Sequence, residues 1–141
     1  MSQAATSGSV QPLKVALLAF GSMVAPAASV AEALDLSLVN MRFVKPLDDQ
    51  VLLDMAATHD VLVSIEENAI AGGAGSAIAE RLSQLGINKP LRILGLPDEF
   101  VQHGSREELL AYCKLDSEGL MQTVADILHA FDVPAAPLLQ A

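Results

Sequence analysis

The sequence predicts an α/β protein: a three-layer α/β/α sandwich around a mostly parallel sheet. Short apolar runs of strand length recur at Lys14–Phe20, Leu36–Met41, Asp60–Ile65 and Leu91–Leu96. Segments with apolar residues at helical spacing lie between them. The third run passes through Glu66, Glu67 and Asn68 into Gly72-Gly73-Ala74-Gly75. A helix-period pattern of Ala71, Ala74, Ile78, Leu82 and Leu85 overlaps and follows that cluster. Strands that are apolar along their whole length are covered on both faces, and alternation with helices makes their connections parallel crossovers.

Each element has its own signal. Residues 1–12 carry Ser, Gln, Ala, Thr and Gly without periodicity and read as a leader or linker. Lys14–Phe20 is the first strand, Gly21-Ser22 a turn, and Ala25–Leu34 a helix with Val24, Ala27, Ala28, Ala31 and Leu34 on one face. Leu36–Met41 is the second strand, broken by Lys45-Pro46-Leu47-Asp48. Asp48 or Asp49 caps the next helix, whose apolar face is Val51, Leu52, Met55 and Ala56. The third strand ends at Ile65, before the two glutamates. Gly86 and Pro90 bracket the turn after the glycine-rich helix, and Leu91–Leu96 is the fourth strand. Phe100-Val101 is a candidate fifth. Ser105-Arg-Glu-Glu108 is a capping box opening a short helix to about Lys114. Asp116 or Ser117 opens the last helix, with Leu120, Val124, Ile127, Leu128 and Phe131 as its buried stripe. The domain therefore spans 13–131, and 132–141 is a Pro/Ala tail.

Composition bounds the function. At 141 residues the chain is one domain with a real core. Hydrophobic residues make up 52% and aromatics 4%, which reads either as aliphatic surface covered in a larger assembly or as an Ala-rich, Leu-rich small domain. The net charge is −9 and the eight basic residues are scattered, so nucleic-acid binding is excluded as a reading. The single cysteine, Cys113, excludes an internal disulfide and reads as a buried small apolar residue. Lys14 followed by Val15–Phe20 outlines a secretory signal, but Gly21, Ser22 and Pro26 interrupt it, and strand, turn and helix explain the same residues. No uncharged stretch reaches the roughly 18–20 residues of a membrane helix. The expectation is a soluble cytoplasmic protein.

The candidate chemistry concentrates at the third βα junction. Gly72, Gly73 and Gly75 could present amides to a phosphate at a helix N-terminus. The dinucleotide fingerprint fails, because Ile78 stands where its third glycine belongs, and Glu66 and Glu67 would repel an anion. The competing reading is a sharp turn with close helix-to-sheet packing. Adjacent strand residues point to opposite faces, so Glu66 and Glu67 cannot pair as catalytic carboxylates. One of them can hold a loop amide or cap the helix. His59, His103 and His129 have no metal-site spacing. A Ser105–His103 couple lacks a nucleophile-elbow context, and Ser105 is already explained as a cap. The residues alone indicate no catalytic, cofactor-binding or metal site on this chain, and a noncatalytic α/β domain with one elaborated βα junction.

Three stretches in register go further: Met41-Arg-Phe-Val-Lys-Pro-Leu-Asp48, Glu66-Glu-Asn-Ala-Ile-Ala-Gly-Gly-Ala-Gly-Ser76 and Leu94-Gly-Leu-Pro-Asp98. Together they closely resemble the C-terminal domain of the 1-deoxy-D-xylulose-5-phosphate synthases, within the transketolase C-terminal domain class. The resemblance runs from about Lys14 to Leu128. It implies a mixed five-stranded sheet with one antiparallel edge strand. It also implies a homodimeric parent enzyme that joins pyruvate to glyceraldehyde 3-phosphate with loss of carbon dioxide, using thiamine diphosphate and Mg²⁺. That chemistry feeds isoprenoid, thiamine and pyridoxal phosphate synthesis. The Gly-Asp-Gly metal-diphosphate motif and the pyrimidine-facing domain are not in this sequence, so no catalytic residue carries over. The resemblance implies an excised domain, inactive alone, whose partners are the missing N-terminal and pyrimidine-facing domains. Its interface or sheet-edge candidates are Glu66, Glu67, Asn68, Gly72, Gly73 and Gly75. The competing readings are a stand-alone small-ligand regulatory module and a 2-oxoacid dehydrogenase β-subunit fragment.

Overall fold

A computed structural model describes residues 13–42, 47–69, 73–96 and 105–132. In chain order they form β1 (Val15–Phe20), a 3-10 turn (Gly21–Met23), α1 (Val24–Leu34), β2 (Ser37–Met41) and α2 (Asp49–Thr58). There follow β3 (Val61–Ala69), α3 (Ala74–Gln84), β4 (Leu91–Leu96), α4 (Arg106–Tyr112) and α5 (Ser117–Asp132). The strands lie in the order β2-β1-β3-β4 and all three pairings are parallel. In the central register Leu17 stands beside Leu38 on one side and Val63 on the other.

The sheet divides the interior into two cores because side chains alternate along each strand. Val15, Leu17, Ala19, Val61, Val63 and Ile65 face α1 and α5, against Met23, Ala27, Val30, Leu120, Val124 and Ile127. Ala16, Leu18, Phe20 and Leu62 face α2 and α3, against Leu52, Ala56, Ile78 and Leu82. β1 is buried at every position, as expected of a central strand covered on both faces.

Several expectations hold residue for residue. Asp48 is the N-cap of α2, its Oδ1 accepting the Val51 amide at 3.2 Å. Ser105 caps α4 by accepting the Glu108 amide at 3.1 Å, and Asp116 Oδ1 accepts the Gly119 amide at 2.8 Å at the start of α5. The described residues form four parallel strands of the expected sheet, and the candidate fifth, Phe100-Val101, lies outside the described residues. Two details need correction. On α1 Ala28 is exposed and Val30 is buried. The 3-10 turn explains this, since buried Met23 starts a stripe that continues through Ala27, Val30 and Ala31 at one helical turn each. Cys113 is half-buried against the α1–α5 core rather than fully enclosed.

The expected excess of aliphatic surface does not show among the described residues. Among the described residues Leu53 is the one large hydrophobic side chain that is exposed. Two cores on one sheet take up the described strand and helix hydrophobics.

The largest change falls on β3, which does not stop at Ile65. Ile65 pairs with Leu94 and Ala69 with Leu96, four residues along β3 against two along β4. β3 therefore bulges between Ile65 and Ala69, through the two glutamates and Asn68. Bulges bend a strand and re-aim the side chains within them.

Candidate functional site

The chain order decides where a site can sit. β1 leads through α1 to β2 on one side, and β2 leads through α2 back across to β3 on the other. The crevice between the carboxyl ends of β1 and β3 is thus the topological switch point, where open α/β sheets place ligands and contacts. The 3-10 turn ends one wall and the β3 bulge ends the other.

Glu66 is fully buried there. Its Oε1 accepts the Ala74 amide at 2.7 Å and its Oε2 accepts the Gly75 amide at 2.6 Å. Those are the first two amides of α3, whose N-cap is Gly73. A glycine N-cap has no side-chain oxygen to offer, so the first-turn donors need an acceptor from elsewhere. Glu66 supplies it from the neighbouring strand. A carboxylate suits the place, because the helix dipole is positive at this end and charge-assisted bonds are the stronger kind.

Glu67, the next residue, points to the other face and accepts a short hydrogen bond from Ser22 Oγ in the 3-10 turn. That bond spans the switch-point crevice from β1 to β3. The opposite facing of the two glutamates is as the strand period predicts, and they are not a carboxylate pair. Gly75 explains its own residue type. A β-carbon there would stand 2.5 Å from Ile93 Cγ2 and 2.7 Å from Ser64 Oγ. The helix start lies against the sheet too closely for any side chain, which is the packing reading of the glycine cluster. Ser64 is fully buried, and its Oγ has no hydrogen-bond partner among the described residues.

Of the six edge candidates, the structure brings Glu66, Glu67, Gly73 and Gly75 together at this edge. Asn68 is in the β3 bulge, and Gly72 lies outside the described residues. Ser22 and Ser64 belong to the same edge and were not singled out by sequence. The signals existed: Ser22 directly follows the first strand, and Ser64 stands two residues before Glu66, hence on its face.

The histidines stay apart. His59 sits at the opposite, amino edge of the sheet, its Nε2 2.7 Å from Ser37 Oγ and its Nδ1 3.1 Å from the Met55 carbonyl oxygen. Nδ1 also lies 2.8 Å from Thr58 Oγ1, which itself donates to the Asp54 carbonyl oxygen at 2.7 Å. His59 ties α2 to β2. His129 is exposed on α5, and His103 is outside the described residues. Across the surface, Arg81 of α3 grips Asp49 of α2 with two bonds, Nε to Oδ1 at 2.8 Å and Nη2 to Oδ2 at 2.6 Å. The hydrogen bond from Arg81 holds the Asp49 carboxyl below its ordinary range.

The donor set does not fit a magnesium–diphosphate site. Among the described residues no three His, Cys, Asp or Glu side chains lie together as metal ligands, and Glu66 is committed to two amides. No chemical step is assigned to these residues. What the edge can do is hold a rigid βα junction and present it to a neighbour.

The sequence model of the family described as transketolase, C-terminal domain, matches residues 10–120. The chain belongs to that family. It is 56% identical over 110 residues to the 1-deoxy-D-xylulose-5-phosphate synthase of Nitrosococcus oceani, covering 78% of this chain and 17% of that protein. It is 55% identical over 121 residues to the enzyme of the same name from Thioalkalivibrio sulfidiphilus, covering 86% of this chain and 19% of that one. The chain thus spans about a fifth of the length of the curated relatives it matches. Among solved structures it is similar to a split-gene transketolase, described as an inactive β4 tetramer. There the TM-score is 0.74 at 29% identity, with 84% of this chain and 40% of that chain covered. The family's fold agrees with the parallel sheet and its two helical layers.

Proposed function

We propose that this chain is the C-terminal domain of a 1-deoxy-D-xylulose-5-phosphate synthase and serves it as an accessory domain without catalytic groups of its own. The observation that carries the reading is the 56% identity over 78% of this chain to a synthase of which it spans 17%. The parent reaction is the condensation of pyruvate with glyceraldehyde 3-phosphate, with thiamine diphosphate and Mg²⁺ held on the other domains. The domain's contribution is to buttress the pyrimidine-facing domain and extend the contact of a homodimer in the cytoplasm. Among the described residues no helix is long and apolar enough to cross a membrane.

The face we assign to the docking is the carboxyl edge, with Glu66, Glu67, Asn68, Gly72, Gly73 and Gly75. Glu66 acts there by positioning, since it is buried, and the Ser22–Glu67 bridge sets the spacing of the two walls. Exposed aliphatic surface does not support the docking, so polar contacts and backbone shape have to carry it on the described part.

The test is complementation. The purified chain is mixed with the upstream domains of such a synthase, and pyruvate-dependent deoxyxylulose phosphate formation is followed beside sedimentation velocity. Activity or a new, larger species only on mixing is the expected result. Two components that sediment independently and stay inactive together would overturn the assignment.

A further inference from the structure

The start of α3 has the form of an anion site. It is a glycine-capped helix N-terminus, beneath which the buried Ser64 hydroxyl, without a hydrogen-bond partner among the described residues, faces Gly75. A small anion placed there would take the amides of Ala74 and Gly75 and lie on the positive end of an 11-residue helix. In this chain a side chain already fills that place. Each oxygen of Glu66 takes one of the two amides, at 2.7 and 2.6 Å, and the carboxylate is fully buried.

We infer that the α3 N-terminus is an anion-binding site liganded from within, with Glu66 as the tethered anion, and that it therefore excludes phosphate groups and recognises a small carboxylate when the tether is cut. Three physical points support this. A carboxylate on the same chain competes at an effective concentration of about millimolar or more, so a free anion must displace it at a loss. A phosphate brought to the α3 amides would also be repelled through the strand by the Glu67 carboxylate, which lies on the other face against Ser22. Finally, the site is closed by packing, since a β-carbon at Gly75 would overlap Ile93, and a tetrahedral anion is bulkier than a planar carboxylate. The tethered carboxylate thus opposes a regulatory phosphate or nucleotide site at the glycine cluster, whether or not the chain serves as an accessory domain.

The experiment uses the full chain and three probes: sodium formate, sodium chloride and inorganic phosphate. In the unsubstituted protein, amide ¹H–¹⁵N spectra should show no movement at Ala74 and Gly75 as phosphate is added. Glu66→Ala should melt lower, and formate should raise its melting temperature by about 3 °C or more beyond the effect of equal chloride. Glu66→Gln keeps the site filled by a neutral amide that can accept only on one side, so it should melt lower without the formate response. A Glu66→Ala chain that folds only in formate supports the inference as well. Phosphate-dependent shifts at Ala74 and Gly75 in the unsubstituted protein would overturn it. So would a Glu66→Ala variant that formate affects no more than it affects Glu66→Gln, including one that stays unfolded in both salts.

Discussion

Gly75 and Glu66 show how much can rest on single residues at a βα junction. Gly75→Ala brings two opposed effects. Alanine is the better helix former by roughly 0.5–1 kcal/mol. Overpacking against the sheet costs about 1–3 kcal/mol, and the 2.5 Å approach to Ile93 makes overpacking the stronger of the two. The variant should be less stable by urea denaturation, and the cost should shrink in an Ile93→Ala background, a coupling that a double-mutant cycle reads directly. Ser64→Ala removes a buried hydroxyl with no described partner, so its midpoint should stay or rise, by up to about 1 kcal/mol. Little of this was legible in the sequence. The glycine cluster and the two glutamates marked the place, and the strand period set their facing. That Glu66 caps a helix eight residues on depends on the β3 bulge, and bulges have no reliable signature in a strand buried continuously from Val61 to Glu66.

At the level of elements, the Arg81–Asp49 grip is, among the described residues, the pairing between helices with a defined pH dependence. Asp49 is held below its ordinary range, so its contribution is fully present above the unfolded carboxylate value of about 3.9 and is lost as pH falls through the folded one. Arg81 stays charged throughout. The stability gap between the protein and Asp49→Asn should therefore be constant near neutrality and close in acid. Both side chains are more than a third exposed, so the gap should also narrow with salt. At the other edge Arg92 of β4 lies over the Phe131 ring of α5, 5.0 Å from its centre. Phe131→Leu keeps the apolar contact and removes the ring, and should cost about 0.5–1 kcal/mol beyond the change in packing. Element boundaries were legible wherever a cap announced them, as at Asp48 and Ser105. The face of α1 was not, because the preceding 3-10 turn shifted the stripe.

For the molecule as a whole, the consequence of two cores on one sheet is cooperativity. Leu17 and Leu18 are neighbours in sequence and lie in opposite cores, both fully buried. Leu17→Ala and Leu18→Ala should each cost about 2–5 kcal/mol, and each variant should still unfold in a single transition by circular dichroism, because the strand is shared. Two separable transitions would mean that one helical layer can leave while the other stays. On the described residues, the same packing corrects the expectation drawn from composition. A chain rich in aliphatics with few aromatics does not need an outer apolar face when six central strand positions are buried on both sides.

The fold class, the four strands, most caps and the family could all be read from the residues alone, because they follow from local periodicity, capping chemistry and the run of residues around Glu66. What the junction does came with the folded chain. Folding put the carboxyl ends of β1 and β3 side by side, carried β3 past Ile65 into a bulge, and buried Glu66 against a helix start that has no cap of its own. Such contacts join residues from separate elements, and their geometry exists only once the sheet has chosen its strand order.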